Sequence, residues 1–111
     1  MNFSQLNELL GSPVLIRKFI KKFILHTPEM ANKMKDAIER NDFDQFILNA
    51  HSLKSLVSYL GPSDLLDILS FFNCLDPSTS VRNVEIRKKM CTLELELQDL
   101  IEEFMVHLKK S

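Results

Sequence analysis

The segment FDQFILNAHSLKSLVSYL, from Phe43 to Leu60, decides the fold because its apolar residues recur with the period of an amphipathic helix. At about 100° per residue, one stripe of a helix contains six apolar side chains: Phe43, Phe46, Ala50, Leu53, Val57 and Leu60. The imidazole of His51 lies about 130° from the middle of that stripe. The segment therefore predicts a helix that packs one face into a core and presents His51 to solvent.

The predicted solvent face also carries an ammonium group and small side chains close to His51. Lys54, Ser55 and Ser58 follow the histidine at the spacings that make helical neighbours. Lys54 could place its charge beside an anion held at the ring, while its aliphatic stem lies along the edge of the core. The two serines leave room for a large partner to reach the imidazole, which a bulky side chain would prevent.

An exposed apolar pair lies next to this face. Leu48 is the most outward residue of the helix, about 170° from the core stripe, and Ile47 precedes it. A single exposed leucine is normal and needs no functional explanation. Beside His51, however, Ile47 and Leu48 are also candidates for the apolar part of a docking site.

The run AHSLKSLVSYLG resembles the signature of histidine-containing phosphotransfer (HPt) domains. That signature is His-x-Leu-Lys-Gly, then three small or variable residues, and a second Gly ten positions after the His. The matching positions are His51, Leu53, Lys54, Ser58 and Gly61. AIERNDFDQFILNAHSLKS, and LNELLGSP, FIKKF and TPEM upstream, are also similar to the family, so the resemblance covers most of the chain. Ser55 departs from the Gly usual at that place.

The resemblance implies a function, a set of partners and a site. An HPt-like domain would accept a phosphoryl group on His51 from the aspartate of one receiver domain and pass it to another receiver aspartate. Lys54 would stabilise the phosphoryl group, and the receiver would dock on Ile47, Leu48, Ser55 and Ser58. The chain would need no cofactor of its own, since Mg²⁺ would belong to the receiver. With glycine only at Gly11 and Gly61, no Gly-rich phosphate loop and no ATP-dependent kinase activity are expected.

Other classes of function fit the sequence less well. The main alternative is a helical adaptor that binds a partner through the His51 face without phosphotransfer, and Ser55 is the feature that favours it. A histidine kinase dimerisation domain usually has an acidic residue after its histidine and a proline further on, where this chain has Ser52 and Leu56. His26 and His107 lack partners at metal-ligand spacing, so a metal site or hydrolytic centre is not expected.

Composition indicates one soluble domain over residues 1–111, with 45% hydrophobic and 26% charged residues. The net charge of −1 and pI of about 6.3 give no global basic field that would attract nucleic acid or an anionic membrane. No apolar run approaches the ~20 residues of a membrane span, and the N-terminus lacks the apolar core of a signal peptide. We therefore expect a cytoplasmic monomer that does not insert into membranes.

Two local features depart from this average composition. Arg17, Lys18, Lys21 and Lys22 form a basic cluster, which predicts a solvated helix face or, alternatively, an interaction patch. The two cysteines, Cys74 and Cys91, lack C-x-x-C spacing and lie in apolar helical stretches. They are expected to be reduced and structural rather than disulfide-bonded or metal-bound.

Helical periodicity runs through the whole chain. Predicted helices cover residues 3–10, 13–40, 43–60 and 64–75, with a last helix from Val81 onward; Ser12, Asp42 and Ser63 are the predicted N-caps. Thr27-Pro28 could start a fresh helix, but the resemblance favours one kinked helix through Pro28. The last helix has a heptad-like seam formed by Ile86, Met90, Leu93, Leu97, Leu100, Phe104 and Leu108. The predicted fold is all-α: an antiparallel up-and-down four-helix bundle with an additional short N-terminal helix.

Overall fold

The computed structural model describes residues 4–110, which form an all-α chain and contain no strand. The five α-helices are α1 (Ser4–Leu10), α2 (Pro13–Glu39), α3 (Phe43–Val57), α4 (Asp64–Asn73) and α5 (Val84–Lys110). A short 3-10 turn, Ser58–Leu60, follows α3 directly. The all-α class is thus confirmed. The predicted first residue of α1, Phe3, lies outside the described residues.

Helix α2 continues through Pro28 without a break, which confirms the continuous helix favoured above over a fresh helix starting at Thr27. The Thr27 hydroxyl, which is fully buried, donates instead to the carbonyl oxygen of Phe23 one turn earlier, at 2.7 Å. A back-bonded hydroxyl of this kind lets a buried threonine remain inside a helix. Ser12 occupies the predicted N-cap position with extended backbone, but its side chain makes no capping hydrogen bond.

Helix α3 begins as predicted and ends earlier. Asp42 caps it by accepting a hydrogen bond from the Gln45 backbone N–H at 3.2 Å. The α-helix stops at Val57 rather than at Leu60, and the last turn tightens into the 3-10 form. Gly61 ends the turn with a φ of 85°, a left-handed value that favours glycine, and its N–H donates to the Ser58 carbonyl.

The start of α5 differs from the prediction by three residues. Asn83 caps the helix, since its side-chain oxygen accepts the Ile86 N–H at 2.9 Å. Val81, predicted to begin the helix, is fully buried in the preceding loop. Between them, Arg82 donates to the backbone carbonyls of Ile38 and Glu39, which ties this loop to the end of α2.

The long helices pack in pairs around one core. Helix α2 contacts α3 and α5, α4 also contacts α3 and α5, and α1 lies against α2 and the 3-10 turn. Edge-to-face aromatic pairs join the partners: Phe23 meets Phe104 at 5.1 Å, and Phe46 meets Phe72 at 4.9 Å between ring centroids. These four rings are fully buried and form the centre of the core.

Most predicted core positions are confirmed, with some exceptions. On α5, the seam residues Ile86, Met90, Leu93, Leu97 and Phe104 are buried, whereas Leu100 and Leu108 are half-buried. On α2, the apolar side chain of Leu15 is 47% exposed. Cys74 and Cys91 are free as predicted, but both are exposed rather than structural, since Cys74 follows the end of α4 and Cys91 lies on the outer face of α5.

Candidate functional site

The rotation of α3 about its axis determines which side chains reach solvent. Phe46, Ala50, Leu53 and Val57 are all fully buried, which confirms the predicted core stripe. Phe43 and Leu60 at the two ends of the stripe are half-buried and pack against the same core. With this stripe held by α2 and α4, the opposite side of α3 is left uncovered.

His51 lies on that uncovered side and is exposed, as predicted. Its ring makes no hydrogen bond or ion pair with any residue of the 4–110 range. In its neutral form, this exposed imidazole has an unprotonated nitrogen available as a nucleophile. The backbone alone positions this group, through a helix that is anchored by its buried face.

Lys54 follows one turn after His51 and is half-buried. Within the described part of the chain, no carboxylate lies within the 4.0 Å of an ion pair with its ammonium. The positive charge is therefore uncompensated and remains available to an anion bound near His51. The two groups are about 4.5 Å apart along the helix axis, within the reach of the lysine side chain.

The serines of this face fold back onto their own helix. Ser55 donates to the carbonyl oxygen of His51 at 3.1 Å, and Ser58 donates to that of Ser55 at 2.8 Å. Ser52 makes the same kind of bond with the Leu48 carbonyl at 3.2 Å. Hydroxyls held in this way project little from the helix surface. The track that leads from His51 toward the end of α3 is therefore low and open to a large partner.

The two apolar candidates for docking differ in exposure. Leu48 is 57% exposed, as its outward angle predicts. Ile47 is half-buried and packs against the core, so only part of its side chain is available to a partner. Asp44 is exposed one turn before Leu48 on the same side and adds a negative charge at the far end of the face.

Sequence reasoning missed Tyr59, which follows Ser58 in the 3-10 turn. Its side chain is 41% exposed, and its ring lies 5.2 Å from the ring of Phe19 on α2. The pair fixes the end of the histidine face against α2. Only the aromatic character of Tyr59 was visible in the sequence, because the contact depends on how α2 and α3 pack.

The other two histidines have different surroundings. His26 on α2 has its Nδ1 atom 3.9 Å from a Glu29 carboxylate oxygen. His107 is half-buried in the last turn of α5. No group of three or more His, Cys, Asp or Glu residues in the described part of the chain could hold a metal ion. Nor is any helix within residues 4–110 long and apolar enough to cross a membrane.

A groove between α4 and α5 is separate from the histidine face. It encloses about 380 Å³ over an apolar floor and is lined by Leu60, Pro62, Ser63, Leu65, Glu96, Asp99, Leu100 and Glu103. Burial raises the pKa of Glu96, and the nearby charges of Asp64 and Asp99 raise it further. No histidine or lysine is among the residues that line this acidic groove.

Comparison with known proteins gives no match to a family model, to a curated protein or to a solved structure. The HPt resemblance of His51, Lys54 and Gly61 therefore stays a prediction. The geometry of the His51 face is the evidence from which a function can be inferred.

Proposed function

We propose that this chain is a phosphorelay intermediate that accepts a phosphoryl group on His51 from a receiver-domain aspartate and passes it to another receiver aspartate. One observation carries the proposal: an exposed imidazole without a partner in residues 4–110 stands one turn from a lysine without an ion pair there. Small, back-bonded serines keep the approach to both groups open. Positioning and charge neutralisation are the main requirements of phosphoryl transfer.

The transfer needs only the ring and the receiver. The unprotonated nitrogen of His51 attacks the phosphorus of the aspartyl phosphate, and an N–P bond forms as the P–O bond to the carboxylate breaks. The electron pair of that bond leaves with the aspartate, and the imidazolium formed releases the proton on its other nitrogen to water. The second transfer reverses these steps, with a new aspartate oxygen attacking the phosphorus.

Lys54 contributes charge in this scheme rather than acid–base chemistry. Transferring a phosphoryl group develops negative charge on its oxygens, which a nearby ammonium stabilises. Because no carboxylate in the described residues competes for Lys54, its charge is not already neutralised. Mg²⁺ would be supplied by the receiver, and no cofactor of this chain takes part.

The proposal includes the arrangement of the helices. We infer that α2, α3, α4 and α5 form an antiparallel up-and-down four-helix bundle of the HPt kind, with α1 as the additional N-terminal helix. The packing of α2 and α4 against both α3 and α5 supports this arrangement. So does the turn of three residues between α2 and α3, which favours antiparallel neighbours. Such a relay would act as a monomer in the cytoplasm, where receiver domains occur.

Transfer between receivers tests the proposal against the adaptor alternative. A panel of receiver domains is phosphorylated with a labelled small phosphodonor, freed of donor and mixed with this protein. Label should move to the protein and then, after its isolation, to an unphosphorylated receiver. Binding of receivers without any movement of label would contradict the relay and support the adaptor, in which the His51 face serves only for docking.

A further inference from the structure

The outer face of the first half of α2 combines positive charge with exposed apolar side chains. Val14, Lys18, Lys21 and Leu25 are spaced so that they fall within a sector of about 60° around the helix. All four are exposed, and Val14 and Leu25 are each 63% exposed. The opposite side of the same turns carries the buried residue Phe23. The outer face of this stretch of α2 therefore exposes apolar side chains that are not part of the core.

The lysines of this face carry uncompensated charge. Neither Lys18 nor Lys21 forms an ion pair with any residue in the described part of the chain. Elsewhere the helices do pair such groups: Lys35 lies 3.4 Å from Glu94, and the Arg40–Asp36 distance is 3.0 Å. The contrast makes the outer face of α2 a local basic region on a chain whose net charge is −1.

The last turns of α5 lie beside the start of α2. The Arg17 guanidinium donates to the backbone carbonyl of Leu108 at 3.4 Å, which places the start of α2 beside the end of α5. Met105, 49% exposed, and Lys109 lie on these turns. We call the outer face of α2 the basic surface, formed by Val14, Lys18, Lys21 and Leu25.

The basic surface does not overlap the histidine face. Arg17 and Phe19 point about 160° apart around α2. Arg17 reaches α5, whereas Phe19 contacts Tyr59 at the end of α3. Helices α5 and α3 therefore lie against opposite flanks of α2, and a partner on the basic surface would leave His51 accessible.

The shape and spacing of the basic surface fit a planar anionic partner. Val14 and Leu25 are about 16 Å apart along the helix, with the two lysines between them. Both apolar side chains project from the outer face of a single helix, which is convex. Lysines interspersed with isolated apolar residues are typical of surfaces that lie on anionic lipid, where charge attracts and apolar side chains enter the headgroup boundary.

We propose that the basic surface binds the surface of an anionic membrane peripherally, through its lysines and the exposed Val14 and Leu25. This binding does not depend on phosphotransfer at His51. Binding through the basic surface would hold the protein at the membrane. The histidine face would remain open to partners.

Sedimentation with lipid vesicles tests the proposal directly. The protein should sediment with vesicles of equal parts phosphatidylcholine and phosphatidylglycerol, and not with vesicles of phosphatidylcholine alone. Raising the salt concentration should weaken binding, because it screens charges near the surface. Each lysine close to an anionic surface strengthens binding roughly fivefold, so Lys18→Glu/Lys21→Glu should reduce it by at least ~25-fold. Leu25→Ser should weaken binding without changing the net charge.

The matched control is Lys33→Glu/Lys88→Glu, which makes the same change of net charge at two exposed lysines outside the basic surface. This control should keep most of the vesicle binding, and thermal unfolding should show that all variants fold. Equal losses of vesicle binding in the two double variants would overturn the proposal. Failure of the wild-type protein to bind anionic vesicles at low salt would also overturn it. Binding to soluble poly-glutamate but not to the vesicles would also overturn it and indicate an acidic protein as the partner.

Discussion

At the scale of single residues, the proposed chemistry requires an imidazole and an ammonium group that are not engaged by other side chains. Some charged side chains of this protein contact another group, as Lys89 does by lying 4.7 Å from the centre of the Phe71 ring. His51 and Lys54 have no such contact with residues 4–110. A nucleophile and a cation held in place by the helix backbone, without competing partners, are prepared for an anion that arrives with another protein.

Lys54→Ala should slow phosphotransfer or shorten the lifetime of the phosphohistidine, with little effect on receiver affinity. The ammonium matters mainly once negative charge develops on the phosphoryl oxygens, so its loss should cost transition-state stabilisation. We expect roughly a tenfold decrease in the single-turnover rate, equivalent to about 1.4 kcal/mol. Rapid-quench kinetics and titration calorimetry measure the two quantities separately.

Lys33→Ala provides the control for this experiment, since Lys33 is exposed and, like Lys54, has no ion pair in the described residues. It should transfer at the wild-type rate, and Lys54→Arg should recover part of the rate. An Lys54→Ala variant that loses receiver affinity but transfers normally once bound would show that the lysine serves in docking only.

At the scale of the helices, α3 carries the residues that stabilise the core on one face and the proposed phosphotransfer site on the opposite face. Leu53→Ala should destabilise the fold by about 2–5 kcal/mol, because it removes a fully buried side chain and leaves a cavity. His51→Gln should stay within about ±0.5 kcal/mol, as exposed substitutions usually do. Urea denaturation followed by circular dichroism gives both values. A His51→Gln variant as unstable as Leu53→Ala would mean that the ring is buried and the helix rotated.

The faces of the helices were predictable from sequence, and several of their ends were not. The core stripe of α3 follows from periodicity alone, so the outward direction of His51 did too. The start of α5 depends on Asn83 as the cap and on Arg82, whose contacts with the Ile38 and Glu39 carbonyls join residues far apart in the chain. No local pattern could separate these residues from the apolar Val81.

The candidate site was predictable where it depends on one helix. The spacing of Lys54, Ser55 and Ser58 from His51 is a property of α3. The position of Tyr59 depends on its contact with Phe19 of α2, and a contact between two helices cannot be predicted from the pattern of one. Leu15 shows the same limit, because it is apolar and next to the buried Ile16 on α2 but is 47% exposed.

At the scale of the whole molecule, a net charge of −1 hides an uneven distribution of charge. Lysines without ion pairs in the described residues gather on the outer side of α2, whereas Glu96 and Asp99 line the groove between α4 and α5. The overall composition gave no reason to expect a membrane partner, because averaging over the chain cancels these two regions. The histidine face belongs to neither of them and keeps only Lys54 and Asp44 as nearby charges on α3.

Docking of a whole receiver against α3 makes a prediction at this scale. Ser58→Phe should abolish receiver binding and phosphotransfer together, because a large ring two turns from His51 would hold the receiver's active site away from the imidazole. Ser58→Ala keeps the space and removes only the hydrogen bond to the Ser55 carbonyl, so it should bind and transfer normally. Transfer at the wild-type rate in Ser58→Phe would show that the receiver does not approach along this track.

The most direct test of phosphotransfer through His51 is to locate the phosphoryl group on the protein. The protein is labelled by a phosphorylated receiver and then exposed to acid or alkali, which distinguishes acid-labile, alkali-stable phosphohistidine from other phosphorylated residues. We expect His51→Gln to lose all acid-labile label, while His26→Gln and His107→Gln keep it. Undiminished acid-labile label in His51→Gln would contradict phosphorylation at His51.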